Sequence, residues 1–218
     1  SDKWTNRIIE TLKGNRAGTK QKLIDLKNYL ILAQLIEKEE NLLEDYFSKN
    51  PPTQSQIGEN MHGYERKIHL RGLRKTKQML QPSAEEAIES TIKAVLKNNH
   101  MESQLGFLFP PVDMRFEKPP TILTSSRRNH IQLIDSLLLK HDINIFQRNI
   151  IENQLLNDHN LSGFIDDLSG LGTYPTMVSD LYDLRTILEV TAHEWLHCYF
   201  IFKPLGISYR NSEEMTTI

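Results

Sequence analysis

The sequence predicts a mostly helical α+β protein: a helical hairpin or small bundle over residues 1–100, then, over 101–218, a subdomain with a small sheet and one long helix. Three observations carry this. Apolar residues recur at three-and-four spacing through much of the first hundred positions. After Asn99 the composition shifts, and "LGFLFPPVDMRFEKPPTILTSS" brings four prolines and short apolar runs. The helical period then returns in "SDLYDLRTILEVTAHEWLHCYFIF", residues 179–202.

In the first half, Tyr29, Leu32, Ile36, Leu43 and Tyr46 form one stripe, with Leu23, Leu26 and Leu30 beside it, so a long amphipathic helix is expected from Thr19 to Ser48. Asn50, Pro51 and Pro52 end it, because proline lacks the N–H that continues the ladder and restricts the residue before it. "TQSQIGENMHGYERKIHLRGLRKTKQML" reads as a looser helix interrupted by Gly58 and Gly63. "SAEEAIESTIKAVLKNNH" then starts afresh, Ser83 and Glu86 making a capping box, and runs to Lys97.

In the second half, a strand is expected at Thr121–Thr124 after irregular chain. "RNHIQLIDSLLLKHD" and "INIFQRNIIENQLLNDHN" read as two helices, the second starting near Asn144. "LSGFIDDLSGLGTYPTMV" mixes glycine with apolar residues and suggests strand, turn and strand. The last helix is capped by Ser179, carries Leu181, Leu184, Leu188 and Thr191 down one side, and is stopped by Lys203, Pro204 and Gly206.

Charged residues make up 25% and hydrophobic residues 39%, values of an ordinary globular chain rather than a disordered one. A net charge of -2 gives no general attraction to nucleic acid, so no specific nucleic-acid partner is expected. Cys198 is the sole cysteine, which excludes an intrachain disulfide and leaves the compartment open. The longest uncharged stretch is broken by Glu194 and two histidines, too polar for a membrane span, so the chain as given reads as soluble. It begins "SDKW", which leaves room for processing and for anchoring segments outside it.

The chemistry lies in "TAHEWLHCYF". On a helix His193 and His197 share a face one turn apart and can offer imidazole nitrogens to one cation. Glu194 is then placed as general base toward a water on that cation, and zinc is the cofactor such a set serves. From Val190 to Phe202 every residue except Glu194 is uncharged or histidine, as expected of a helix buried around a metal. Glu189, one turn before His193, is either a partner that orients it or a solvated residue. Tyr174, in "GLGTYPTMV", lies on a stretch that either edges a substrate cleft or is a turn into a strand. Tyr209 is either an oxyanion donor or a packed loop residue. Cys198 points about 100° away from His197 and is assigned to the core. The basic run at 62–77, with Arg66, Lys67, Arg71, Arg74, Lys75 and Lys77, is either a solvated helix face or a surface for phosphate or anionic lipid.

The segment also resembles the extended zinc-peptidase signature, with Val190 three before the first histidine, uncharged Thr191, Trp195, Leu196 and Cys198, and apolar Tyr199. The runs "FLFPPVDMRFEKPPTILTSSRR", "LSGLGTYPTMVSD", "LRTILEVTAHEWLHCYFIFKPLG" and "EMTTI" are similar to a group of little-characterised bacterial membrane-associated proteins regarded as gluzincin-like zinc peptidases. The resemblance covers roughly residues 105–218. It implies a zincin-like subdomain over 101–218, a zinc-dependent hydrolase acting on a peptide or protein, and a link to the bacterial membrane or cell envelope through segments outside this chain. In gluzincins the third ligand is a glutamate some twenty residues after the second histidine. Only Glu213 and Glu214 follow His197 here, in what reads as the first turn of another helix. The resemblance therefore places the true ligand beyond Ile218, in a subdomain truncated at its C-terminus, and predicts a weak or empty metal site within residues 1–218. A different class remains alongside: a non-catalytic helical interaction module in which the HEWLH helix is vestigial or structural.

Overall fold

The computed structural model describes residues 16–49, 61–103, 106–129, 133–141, 143–201 and 203. The protein is α+β and mostly helical. The chain divides into two compact units, Ser1–Leu108 and Phe109–Ile218.

The first unit is built on α1 (Arg16–Lys49) and α2 (Met61–Asn98), which pack against each other. Cross-links fix the direction. Lys22 lies 3.1 Å from Glu86 and Ser83 donates to Asp25 at 2.6 Å, while Arg74 lies 2.5 Å from Glu40 and Arg66 3.7 Å from Glu39. Early residues of α1 thus meet late residues of α2, as in an antiparallel hairpin. The seam is Leu26, Tyr29, Ala33, Ile36 and Leu43 on α1, with Leu70, Ala84, Ala87, Ile88, Ile92 and Leu96 buried on α2. It draws on both predicted stripes and adds Ala33. Leu23 falls outside it, 53% exposed.

Two expectations are corrected here. Gly63 does not interrupt α2, and Ser83 does not start a new helix: α2 runs unbroken through Pro82. Burial of Ala84, Ala87 and Ile88 holds that turn in the seam, and the Ser83 hydroxyl is engaged with Asp25 across the hairpin. Gly58 and the Asn50–Pro52 stop lie outside the described residues. The basic run contributes to the hairpin, with Arg66 and Arg74 on α1 carboxylates and Lys77 5.4 Å over the Tyr29 ring. No helix among the described residues is long and apolar enough to cross a membrane.

The second unit holds two three-stranded sheets. β2 (Thr121–Arg127) pairs antiparallel with β3 (Leu133–Leu139) and with β4 (Leu161–Asp167). β3 replaces the expected helix over 128–142. Leu133, Ile134, Leu137 and Leu138 have the spacing of a helix, and the ladder to β2 overrides that local pattern. The register slips between Ser125 and Ser126, leaving Ile134 with no opposite residue. β2 extends three residues beyond the expected Thr124.

The α3 helix (Ile145–His159) starts at Asn144 as expected, with a capping box closed by Gln147. It packs on β4. A Cβ at Gly163 would stand 2.6 Å from Leu155 Cδ1, so glycine permits that approach. Glu152 accepts from the Ile165 backbone N–H at 3.0 Å, and Arg148 binds Asp167 at 2.6 Å.

The second sheet has the order β1 (Met114–Phe116), β6 (Thr176–Val178), β5 (Gly170–Leu171). β1 and β6 are parallel, so the whole of the first sheet and α3 lies between them in the chain. The expected strand-turn-strand over 161–178 is three strands shared between two sheets. The final helix, α4 (Leu184–Phe200), packs on β5 and β6.

Ile88 is 1% exposed and Leu23 53% exposed. Ile88→Ala is therefore expected to lower the unfolding free energy by about 3 kcal/mol, and Leu23→Ala by less than about 1 kcal/mol. Urea titrations followed by far-ultraviolet circular dichroism measure both, and equal losses would contradict the seam described.

Candidate metal centre

Asp183, not Ser179, caps α4: its carboxylate accepts from the backbone N–H groups of Arg185 at 2.9 Å and Thr186 at 3.1 Å, and from the Thr186 hydroxyl at 2.8 Å. Ser179 is buried after β6, its own N–H bonded to Ser169 and its hydroxyl 3.4 Å from the Leu181 N–H. A carboxylate with a threonine three residues on satisfies more of the first turn than Ser179 does from outside it. The Thr186 backbone N–H, first among these contacts, holds the Asp183 carboxyl below its ordinary value near 3.8.

The helix buries Ile187, Thr191 and Trp195, spaced one turn apart; of the expected Leu181, Leu184, Leu188 and Thr191, only Thr191 is among them. Leu181 precedes the helix, and Leu184 is 43% exposed. Trp195, 1% exposed, donates its indole N–H to the Pro110 carbonyl at 3.1 Å and stacks on Tyr199. At the other end Lys203 sits 3.4 Å over the Tyr199 ring, a cation beside the carbonyl end of the helix. Of the expected stop, Pro204 and Gly206 lie outside the described residues.

β5 and the residues after it lie on the flank of α4 between this dry stripe and the histidines. A Cβ at Gly170 would run into Val190 and stand 3.1 Å from both Glu194 Cγ and the Met177 carbonyl. One at Gly172 would stand 3.1 Å from Glu194 Oε2 and 3.3 Å from His197 Cβ. Cys198 closes the contact, its thiol 3.6 Å from the Gly172 carbonyl and 3.7 Å from that of Thr173. Burial, and after it the Glu194 charge, push the thiol's pKa up, which keeps it protonated as a donor. Cys198 is half-buried against this stretch, short of the core position expected for it.

His193 and His197 lie on the exposed side, so the helix is not buried on all sides as its composition suggests. Their Nε2 atoms are 3.0 Å apart and their rings meet edge to face at 4.7 Å. His193, Glu194 and His197 form the sole group of three metal-ligating side chains found among the described residues, one donor atom of each within 4.8 Å of the others. Two nitrogens at zinc-bond length on a tetrahedral ion lie about 3.3 Å apart, so the observed pair is near that bite.

The remaining candidates separate. Glu189 pairs with Arg185 at 2.8 Å. Tyr174 is half exposed in the link from β5 to β6, two residues beyond Gly172. Tyr209, Glu213 and Glu214 lie outside the described residues. Gly170, Gly172, Asp183 and the Trp195 anchor are contributors that sequence reasoning did not single out. Only Asp183, with Thr186 three residues on, left a local signal.

Gly170→Ala is expected to destabilise the second unit by about 1–3 kcal/mol, since its Cβ meets a packed valine and a carbonyl. Thermal melting checks it. The Asp183 pKa is depressed in the folded state, so its charge contributes stability above the unfolded value, lost as pH falls through the folded one. Asp183→Asn should thus melt below the parent at neutral pH, with the gap closing on acidification below about pH 4; a gap independent of pH would contradict this cap. No known family model, curated protein or solved structure matches this chain.

Proposed function

We propose that the second unit is a zinc-dependent hydrolase of peptide bonds in a zincin-like subdomain. The observation that carries this is the pair of Nε2 atoms 3.0 Å apart with the Glu194 carboxylate beside them. The donor set fits zinc: two imidazoles at the right separation, on a rigid helix, on a solvent-facing side that a substrate can reach. A third donor is required, and in this sequence Glu213 and Glu214 are its candidates. When bound, the cation polarises the substrate carbonyl and lowers the pKa of water.

Glu194 takes the proton of the attacking water and hands it to the leaving amine. His193 and His197 stand one turn apart on α4, which fixes the spacing of their backbones. The Gly170–Thr173 stretch covers the flank of Glu194 and limits where its carboxylate can swing. Peptide or protein is the partner; a link to a membrane or cell envelope rests on the resemblance alone.

One observation favours a second reading. The two imidazoles satisfy each other directly at 3.0 Å, as they would in a non-catalytic helical interaction module with a structural HEWLH helix.

Metal analysis of the purified natural protein separates the two. One zinc per chain is expected, falling below about a tenth of that in His193→Ala and His197→Ala. Glu194→Gln should keep the zinc and lose about 10²–10⁴-fold in peptide hydrolysis. A parent protein that never retains zinc above trace level sinks the enzyme reading.

A further inference from the structure

We infer that Gly172 is a positioning residue for Glu194: the missing side chain at 172 is the space that lets the carboxylate lie against β5 beside the two imidazoles. The inference rests on the metal-centre reading of His193, Glu194 and His197.

The two glycines of this stretch differ in what they face. At Gly170 an added Cβ meets Val190, Glu194 Cγ and the Met177 carbonyl, which are packing groups and backbone. At Gly172 the nearest atom is Glu194 Oε2 at 3.1 Å, then His197 Cβ at 3.3 Å and the Glu194 carbonyl at 3.4 Å. All three belong to the proposed site. The His197 Cβ and the carbonyl are fixed to the helix, and helix and strand are tied by the Cys198 thiol to the carbonyls of Gly172 and Thr173. The carboxylate sits at the end of a flexible side chain, so it yields first. Gly172 is itself exposed, and its φ is not one that demands glycine, so neither core packing nor turn geometry accounts for it. A side chain here turns Glu194 away from its place without removing a metal donor.

The test uses the natural protein loaded with zinc and acetohydroxamate as probe, a small chelator whose hydroxyl binds the glutamate beside the metal. Metal content, melting temperature and probe affinity are measured for the parent, Gly172→Ala, Gly172→Val, Glu194→Gln and Gly172→Val/Glu194→Gln. Zinc content should be unchanged in all five. Affinity should fall about tenfold or more in Glu194→Gln, the worth of one charge-assisted hydrogen bond. It should fall by less in Gly172→Ala and approach the Glu194→Gln value in Gly172→Val. The double variant should bind no more weakly than Glu194→Gln.

Parent-like affinity in Gly172→Val while Glu194→Gln is weakened overturns the positioning role, as does a double variant that loses the product of the two single effects. If Gly172→Val melts early, Gly172→Val/Glu194→Asp decides. The shorter acid vacates the space, and recovery of melting temperature supports the contact, whereas no recovery overturns it. A parent without zinc overturns the metal centre and this role together, which distinguishes that failure from the others.

Discussion

The close approach of β5 to α4 is the constraint on which the site depends. Two residues without side chains, Gly170 and Gly172, bring extended chain onto the helix flank that carries Val190, Glu194 and His197. A Cβ at Gly170 would force the strand off Val190, whereas one at Gly172 would be met first by movement of the Glu194 carboxylate. The Cys198 thiol holds the carbonyls of Gly172 and Thr173 against the same flank. The position of the Glu194 carboxylate thus follows from an absence of atoms, a device that side-chain patterns do not advertise.

The helix itself divides its work between two sides. Ile187, Thr191 and Trp195 are buried, and full burial of a large apolar side chain stabilises by about 1.5–3 kcal/mol. A hydrogen bond between exposed groups contributes about 0.5–1.5 kcal/mol at most. The imidazoles are therefore held in register by the dry stripe, the Pro110 anchor and the Asp183 cap, and only in small part by each other. Rigidity comes from the side opposite the chemistry. That separation allows the histidines to stay exposed without the helix losing its place on β5 and β6.

Legibility in the sequence follows the range of the interactions. The histidine pair depends only on helical periodicity, so its spacing alone places both rings on one face. Asn144 with Gln147 was likewise readable, because a capping box is closed within four residues. The expected helix over 128–142 is a strand because Leu133, Ile134, Leu137 and Leu138 have helical spacing locally, while the deciding ladder to Thr121–Arg127 is a tertiary fact. Ser83 misled for the same reason in reverse: its local capping pattern is genuine, but Asp25, 58 residues away, takes the hydroxyl. Gly172 left no local sign at all, since what distinguishes it is the atom it would strike on another element.

The imidazole pair bears on both functional readings. For the Nε2 atoms to meet at 3.0 Å without a cation, one must carry a proton and the other a lone pair. A divalent ion needs both lone pairs, so the shared proton and the metal compete for one position. Binding a metal would replace that hydrogen bond with little change in the nitrogen separation, which is already near the tetrahedral bite of about 3.3 Å. Glu194 follows His193 directly on the same helix, so its nearness to the pair comes with the sequence, and what the glycine stretch adds is the wall its carboxylate lies against.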